Sequence, residues 1–389
     1  MTDILFVDDE RAVLEGLRLR LRRHRKTWNM RFVESGAAAL AALAETHVDV
    51  VVTDLTMPHM DGVELLRRVR EAHPDTVRIM LTGSTEPAAA RRALGVAHQL
   101  VAKPCDAETL QRKISVCVDL RNDLSAPDLR AFVGRIQNLP PVPRLYARLS
   151  AVLDDRRAGS RDVSDVLAED PAMCAKLLHV VNSAFFRLQR KITDVASAVS
   201  YLGVESVRAL TLSEGFLHET PRMPPAFDHE ALRVHSLRAA TIARAIAPPH
   251  ARPADAFVTT LLHDVGSLLV ASELPDQWSE VYQAQEPPMN HLAAEEAAWG
   301  ATHATIGAYL LGTWGLPSEV VHAVARHHDP GLGPIDLPHI AHAADVLGHQ
   351  LSHAPVPWAP GFEETVGNSV ERWRAIAQQA LGAGFEAVA

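Results

Sequence analysis

Along the first 120 residues, short apolar runs alternate with longer segments whose apolar residues recur every three or four positions. The runs ILFV (4–7), MRFV (30–33), VDVVVT (48–53), RIML (78–81) and QLVA, just before Lys103, have the length and β-branched content of buried strands. Between them, Ala12–Leu21, Val63–Val69 and Thr109–Val116 carry helical spacing. Five strands separated by helices predict an α/β domain over 1–122, with a doubly wound parallel sheet covered on both faces.

Beyond about Asn122 the periodicity changes. DLSAP (123–127) is a polar, Pro-containing break and helix resumes over Asp128–Gln137, so 123–138 is expected to be a linker helix. From 144 to about 352 no stretch has strong strand character. Helical spacing runs through Leu145–Leu153, Val163–Leu167, Met173–Val181 and Val195–Leu202, punctuated by EDP (169–171) and YLG (201–203). Residues 139–352 therefore predict an all-α domain. The remaining 353–389 hold a Pro-rich piece and a helix, Glu364–Leu381, with Trp358 and Trp373 expected to anchor it to the helical domain.

The strand ends of the first domain carry its chemistry. Strand 1 ends in Asp8-Asp9, strand 3 in Asp54, strand 4 in Thr82 and strand 5 in Lys103-Pro104. A parallel sheet gathers these at one edge, where ligands bind beyond the carboxyl ends of the strands. Clustered carboxylates repel unless a hard cation sits among them, and Mg2+ suits oxygen ligands. A carboxylate beside Mg2+ and a lysine can attack a phosphoryl group, because the cations neutralise charge developing on its oxygens. Any one of these aspartates, such as Asp9 before the first helix, could instead serve as a helix cap. Five such groups on correct strand ends are a more specific signal than one.

Charge divides unevenly between the halves. Residues 1–125 hold 18 Lys/Arg against 18 Asp/Glu, and the remainder, with 20 against 29, carries the whole net charge of −9. An acidic second half argues against a nucleic-acid surface. No stretch approaches the roughly 20 uninterrupted apolar residues of a membrane span. The N-terminal MTDILFVDDE is unlike a signal peptide, and three cysteines (Cys105, Cys117, Cys174) without a disulfide pattern fit a cytoplasmic protein. Arg18–Lys26 (RLRLRRHRK) is strongly basic and falls on the expected first helix, as a solvated face.

FVDDE, VVTDLTMPHMDG, LTG and AKP resemble the receiver domain of bacterial two-component response regulators, across the whole first 120 residues. The resemblance implies a flavodoxin-like fold and Asp54 as phosphoacceptor for a sensor histidine kinase. It implies Mg2+ held by Asp9, Asp54 and the backbone carbonyl of Thr56 with help from Asp8, and Thr82 and Lys103 on the phosphoryl group. Met57-Pro58 and Asp61-Gly62 would shape the loop after the acceptor. Leu100 departs from the aromatic residue that many receivers carry three positions before the lysine.

LPPVP, VLAEDPAMCAKLLHVVNSAFF and KITDVASAVSYLGVESVRAL resemble the HDOD family of helical output domains, over roughly 130–330. In that half Asn182 and Arg187 read as caps or structural hydrogen-bonding groups. Fifteen of the 20 histidines lie beyond residue 125. His235, His263-Asp264, His303, His327-His328 and Asp345 fall on separate helical segments, which a bundle can bring together as a site for one or two divalent metals. His263-Asp264 on one helix can supply two ligands or an aspartate that bridges two ions, and His303 with His327-His328 would hold the second. The order His235…His263-Asp264…Asp345 is similar to the HD superfamily of metal-dependent phosphohydrolases, and the added histidines to the longer ligand set of HD-GYP phosphodiesterases. That likeness implies Fe, Mn, Zn or Ni and hydrolysis of a cyclic dinucleotide or nucleotide ester. Ser267 stands where HD-x-G-K places lysine, and DPGLGP (329–334) stands where the GYP loop would be. His322, His339, His342 and His349 are expected to be bystanders.

The expected function is that of a two-component response regulator. Phosphorylation of Asp54 would reposition or dimerise the HDOD domain, which then binds downstream signalling proteins, with no direct nucleic-acid or membrane partner. The rival expectation is a phosphorylation-gated, HD-type metal-dependent phosphohydrolase.

Overall fold

The computed structural model describes residues 1–83, 96–104, 107–123, 158–182, 191–204, 223–248, 251–283, 291–352 and 356–382, with a few isolated helical residues between. Two compact units result: residues 1–137 with the short segments 179–191 and 312–315, and the rest. Most of the expected linker helix, LPPVP, most of Leu145–Leu153, Arg187 and Cys105 lie outside the described residues.

In the first unit β1 (Thr2–Val7), β2 (Trp28–Val33), β3 (Val50–Asp54), β4 (Val77–Thr82) and β5 (Gln99–Ala102) form one sheet in the order β2-β1-β3-β4-β5. Every neighbouring pair is parallel. All five residues of β3 and all six of β4 are buried, as near-continuous apolar runs in a sheet covered on both faces must be. The helices are α1 (Arg11–Arg20), α2 (Gly36–Glu45), α3 (Gly62–Ala72) and α4 (Ala107–Asp123). Alternation along β1 sends Ile4 and Phe6 into a core with Leu14, Leu21 and Ile114, where Phe6 stacks on Phe32 at 5.0 Å. Ser35 and Asp61 cap α2 and α3 by accepting from Ala38 N (3.2 Å) and Glu64 N (2.8 Å).

The basic run differs from expectation. The first helix stops at Arg20 and a 3-10 turn covers Arg22–His24, so Arg18–Lys26 does not lie on one helical face.

Among its described residues the second unit is helical throughout. Its elements are α5 (Ser160–Leu167), α6 (Pro171–Val181), α7 (Val195–Leu202), α8 (His229–Ile246), α9 (Pro253–Leu261) and α10 (Val265–Glu273). They continue as α11 (Pro275–Gln283), α12 (His291–Trp299), α13 (His303–Thr313), α14 (Ser318–Ala325), α15 (Leu337–Leu351), α16 (Phe362–Val366) and α17 (Ser369–Gly382). Helix α8 packs on α9, α15 and α17. Together α9 and α10 make a run, Pro253–Glu273, long and apolar enough by length and composition to cross a membrane, which the reading of uninterrupted apolar stretches passed over. It is mostly buried and broken at 262–264, as suits the core of a helical bundle.

The tail is two helices, α16 and α17, where one was expected. Trp373 is 1 % exposed and lies in a core with Ile242, Ile340, Leu347 and Phe362, while Trp358 stacks on Phe362 at 5.1 Å. Replacing Trp373 with alanine is expected to cost about 3–5 kcal/mol, the usual range for emptying a buried aromatic site. A urea midpoint unchanged from the native protein would show that the tail is not part of the cooperative core.

Candidate functional site

Strand order reverses between β1 and β3, which opens a crevice at their carboxyl ends. Register then sets the site. Val7 pairs with Thr53, so Asp8 follows level with Asp54, and Thr82 pairs with Ala102, so Lys103 follows beside it. Lys103 Nζ reaches Asp8 Oδ2 at 2.8 Å and also bonds Asp54 Oδ1. Asp54 Oδ2 accepts from Thr56 N at 2.9 Å, and Asp8 Oδ1 from Glu10 N at 2.9 Å. Asp8 and Thr82 are buried, Asp54 is 9 % exposed, and Asp9 and Thr56 face solvent. Asp9 is not a helix cap: Glu10 holds that position on α1, without a side-chain cap bond.

Burial alone would lower the Lys103 ammonium, but Asp54 and Asp8 outweigh it and hold the pKa above its ordinary value. Three carboxylates against one ammonium leave two negative charges, which a divalent hard cation neutralises. The loop after Asp54 is close-packed. A Cβ on Gly62 would sit 2.1 Å from the Asp54 carbonyl oxygen. Leu100, where an aromatic switch residue would stand, is 2 % exposed.

The second cluster is built where α9 gives way to α10. His263 and Asp264 do not lie within one helix as expected. They occupy the turn between α9 and α10, with Asp264 as N-cap residue of α10. His327-His328 likewise fall just beyond α14, whose C-cap is Arg326. The break lets two adjacent side chains point the same way, which an unbroken helix, turning about 100° per residue, does not.

Seven side chains converge there. Asp264, His303, His327 and His328 form one group and His235, His263 and Asp345 another, each with ligand atoms within 4.8 Å of one another. The Asp264 carboxylate serves both. Its Oδ2 lies 3.2 Å from His263 Nε2 and 3.8 Å from His235 Nε2, and its Oδ1 3.3 Å from His303 Nε2 and 3.7 Å from His327 Nε2. Asp345 Oδ1 is 3.0 Å from His235 Nε2 and 3.5 Å from His263 Nε2. Nε2 of His328 and of His303 are 3.0 Å apart.

The hydrogen bonds fix which nitrogen is free. Nδ1 of His263 lies 2.6 Å from the Thr260 carbonyl, Nδ1 of His327 2.7 Å from that of Val324, and Nδ1 of His303 2.8 Å from Glu295 Oε2. Each acceptor claims the Nδ1 proton, so Nε2 is the ring atom that faces the cluster centre. Nε2 of His235, His263 and His327 and Oδ1 of Asp345 are buried without a hydrogen bond. Buried acceptors left unbonded are costly, and donor atoms crowded 3.0–3.8 Å apart have the spacing of ligands around a cation at about 2.1 Å. The residues fit one or two divalent metals.

Taken by themselves, the side chains divide sharply in charge. Burial opposes every charge, yet Glu295 and Asp264 hold His303 up at about 10, and Asp264 and Asp345 hold His263 well above the usual histidine range. Burial and the neighbouring histidines push His327 well down and His328 down to about 4. Asp264 and Asp345 stay ionised, because their histidine partners outweigh burial.

Three residues beyond the expected set belong to the surroundings. Glu295, fully buried on α12, binds His303, and Tyr282 binds Glu295. His349, expected to be a bystander, lies 3.4 Å from Asp345 Oδ1 with its ring 4.1 Å from that of His235. One helical turn separates Asp345 and His349, and that spacing was the available signal. His342 is structural: it links the His327 carbonyl (2.8 Å) to Ala359 N (3.0 Å). His339 pairs with Asp336, and His322 is exposed. Asn182 is buried, and its backbone carbonyl accepts from Lys191 at 2.6 Å.

Comparison with known proteins agrees with this architecture. Residues 4–115 match the response regulator receiver domain and residues 139–330 the HDOD domain. The response regulator MprA of Mycobacterium sp. (strain KMS) is 30% identical over 164 residues, covering 41% of this chain and 65% of MprA. The transcriptional regulatory protein GlrR of Escherichia coli (strain K12) is 35% identical over 155 residues, covering 39% of this chain and 34% of GlrR. An uncharacterized protein of Treponema pallidum is 26% identical over 205 residues, 51% of this chain and 39% of that one. The chain thus spans less than two thirds of the length of these curated relatives. In fold it is similar to the MmoQ response regulator of Methylococcus capsulatus, with TM-score 0.51 and 22% identity over 61% of this chain and 98% of MmoQ. A parallel sheet with an acidic crevice, followed by a helical unit and matched over both parts, makes this chain a response regulator composed of a receiver domain and an HDOD domain.

Proposed function

We propose that a sensor histidine kinase phosphorylates this protein on Asp54 and that the phosphorylated receiver controls an HDOD domain that binds downstream signalling proteins. The observation behind this reading is the convergence of Asp8, Asp54 and Lys103 at the strand-order reversal, with Asp54 at the mouth of the crevice. Mg2+ bound by Asp8, Asp9 and Asp54 would neutralise the incoming phosphoryl group. Lys103 is already bonded to Asp54 and keeps its charge, so it can follow a phosphoryl oxygen without a proton transfer. Incubation with acetyl phosphate and Mg2+ is expected to label the native protein and to leave Asp54→Ala unlabelled. Equal labelling of the variant would remove Asp54 as the acceptor.

A second reading rests on a separate observation, the Asp264 carboxylate shared between two groups of ligands. In that reading the HDOD half is an HD-type metal centre acting on phosphoesters. Two divalent ions there would supply Lewis-acid activation of a water molecule and of the phosphoryl oxygens. The chain's own part is to present Nε2 lone pairs, to bridge with Asp264 and to exclude water by burial. Ser267 brings a neutral hydroxyl where a lysine would meet the substrate phosphate, so the centre lacks that handle for a cyclic dinucleotide. Metal content, followed by hydrolysis of bis-nitrophenyl phosphate and cyclic di-GMP, separates a working centre from a structural one.

A further inference from the structure

The residue that supports the group around His303 comes from outside it. Glu295 is 0% exposed, and both carboxylate oxygens are committed to His303: Oε2 accepts from its backbone N at 2.8 Å, and Nδ1 lies 2.8 Å from Oε2 and 2.9 Å from Oε1. Tyr282 Oη donates to Oε1. A carboxylate taken wholly out of water is expensive unless its lone pairs are filled. Here they are filled by one histidine and one tyrosine.

The direction of donation gives the arrangement its purpose. By taking the Nδ1 proton, Glu295 leaves the Nε2 end of His303 toward Asp264 Oδ1 (3.3 Å) and His328 Nε2 (3.0 Å). A carboxylate behind a histidine fixes the ring and raises the basicity of the far nitrogen, which strengthens its bond to a cation.

We infer that Glu295 is the positioning residue that makes His303 a metal ligand, and that the Tyr282 hydroxyl holds Glu295 in place; this rests on the metal-centre reading above. The Tyr282–Glu295 pair acts on one half of the centre: among the described residues it bonds His303 and not His235, His263 or Asp345.

The test is Mn2+ binding to the full chain, read as ions per chain and as the spin-coupled electron paramagnetic resonance signal of a manganese pair. Native protein is expected to bind two ions and to show the coupled signal. Glu295→Gln is expected to bind one ion of the pair about 10- to 100-fold more weakly, to lose the coupled signal at limiting Mn2+, and to match His303→Ala in keeping the other ion. Tyr282→Phe retains the ring and removes only the hydroxyl, so it keeps the proposal testable should Glu295→Gln fail to fold. Its expected effect is about fivefold on the same ion, the worth of one hydrogen bond. Two ions bound with native affinity in both variants, with only a lowered melting temperature, would overturn the inference and leave the metal centre standing. Native protein that binds no Mn2+ would overturn both.

Discussion

Asp264→Ala is expected to reduce the protein from two divalent ions per chain to at most one. Among the described residues, Asp264 is the only side chain with a distinct oxygen toward each group, Oδ2 toward His263 and Oδ1 toward His303. Two dications about 3.8 Å apart repel by about 17 kcal/mol even at an effective dielectric of 20. The anion between them is what makes joint occupancy tolerable. Without it, His303, His327 and His328 form an all-imidazole group with no negative charge of its own, whereas His235 and His263 retain Asp345. The surviving ion is therefore expected on the Asp345 side. Metal analysis of the two proteins, purified side by side, decides the matter: equal content would remove Asp264 from the ligand set, and negligible content in both would remove the centre.

Gly266→Ala is expected to be the most disruptive single-methyl change in the helical unit. A Cβ there would lie 2.0 Å from the His303 carbonyl oxygen and 2.8 Å from Gly307 N. These are backbone atoms and cannot turn aside, so α10 and α13 must separate by more than an ångström. Overpacking of this kind costs about 3 kcal/mol, which lowers the melting temperature of a unit this size by about 6–12 °C. The displacement is also directed, since it pushes His303 away from Asp264. Calorimetry and Mn2+ titration would both respond, and a variant with native melting temperature and two tightly bound ions would show that the close helix crossing is not required.

The receiver site was legible almost in full because its geometry follows from local rules. Side chains at the carboxyl ends of parallel strands must share one edge, so reading where each strand stops amounts to reading the site. Asp8, Asp54, Thr82 and Lys103 fell where expected for that reason. The basic run Arg18–Lys26 misled because continuous helical spacing hides a change from α-helix to 3-10 turn at Arg20. In the helical half the ligand types and their order were visible. Their local setting was not. The His263-Asp264 pair looked like part of one apolar helix, since LLHDVG contains no proline or turn signal and its cap residue, Asp264, is flanked on both sides by apolar helical spacing.

Composition and periodicity alone determined the α/β-then-α organisation, the acids and lysine at the strand ends and the candidate set of histidines, because each depends on residue type and short-range spacing. Only the tertiary structure decided that Asp264 serves two groups at once, that His349 stands beside Asp345 while His342 ties down the tail, and that Glu295 backs His303. Those relations arise from helix crossings such as the contact of Gly266 with His303 and Gly307. Crossing geometry depends on side-chain shape across distant segments, and spacing along the chain carries no record of it.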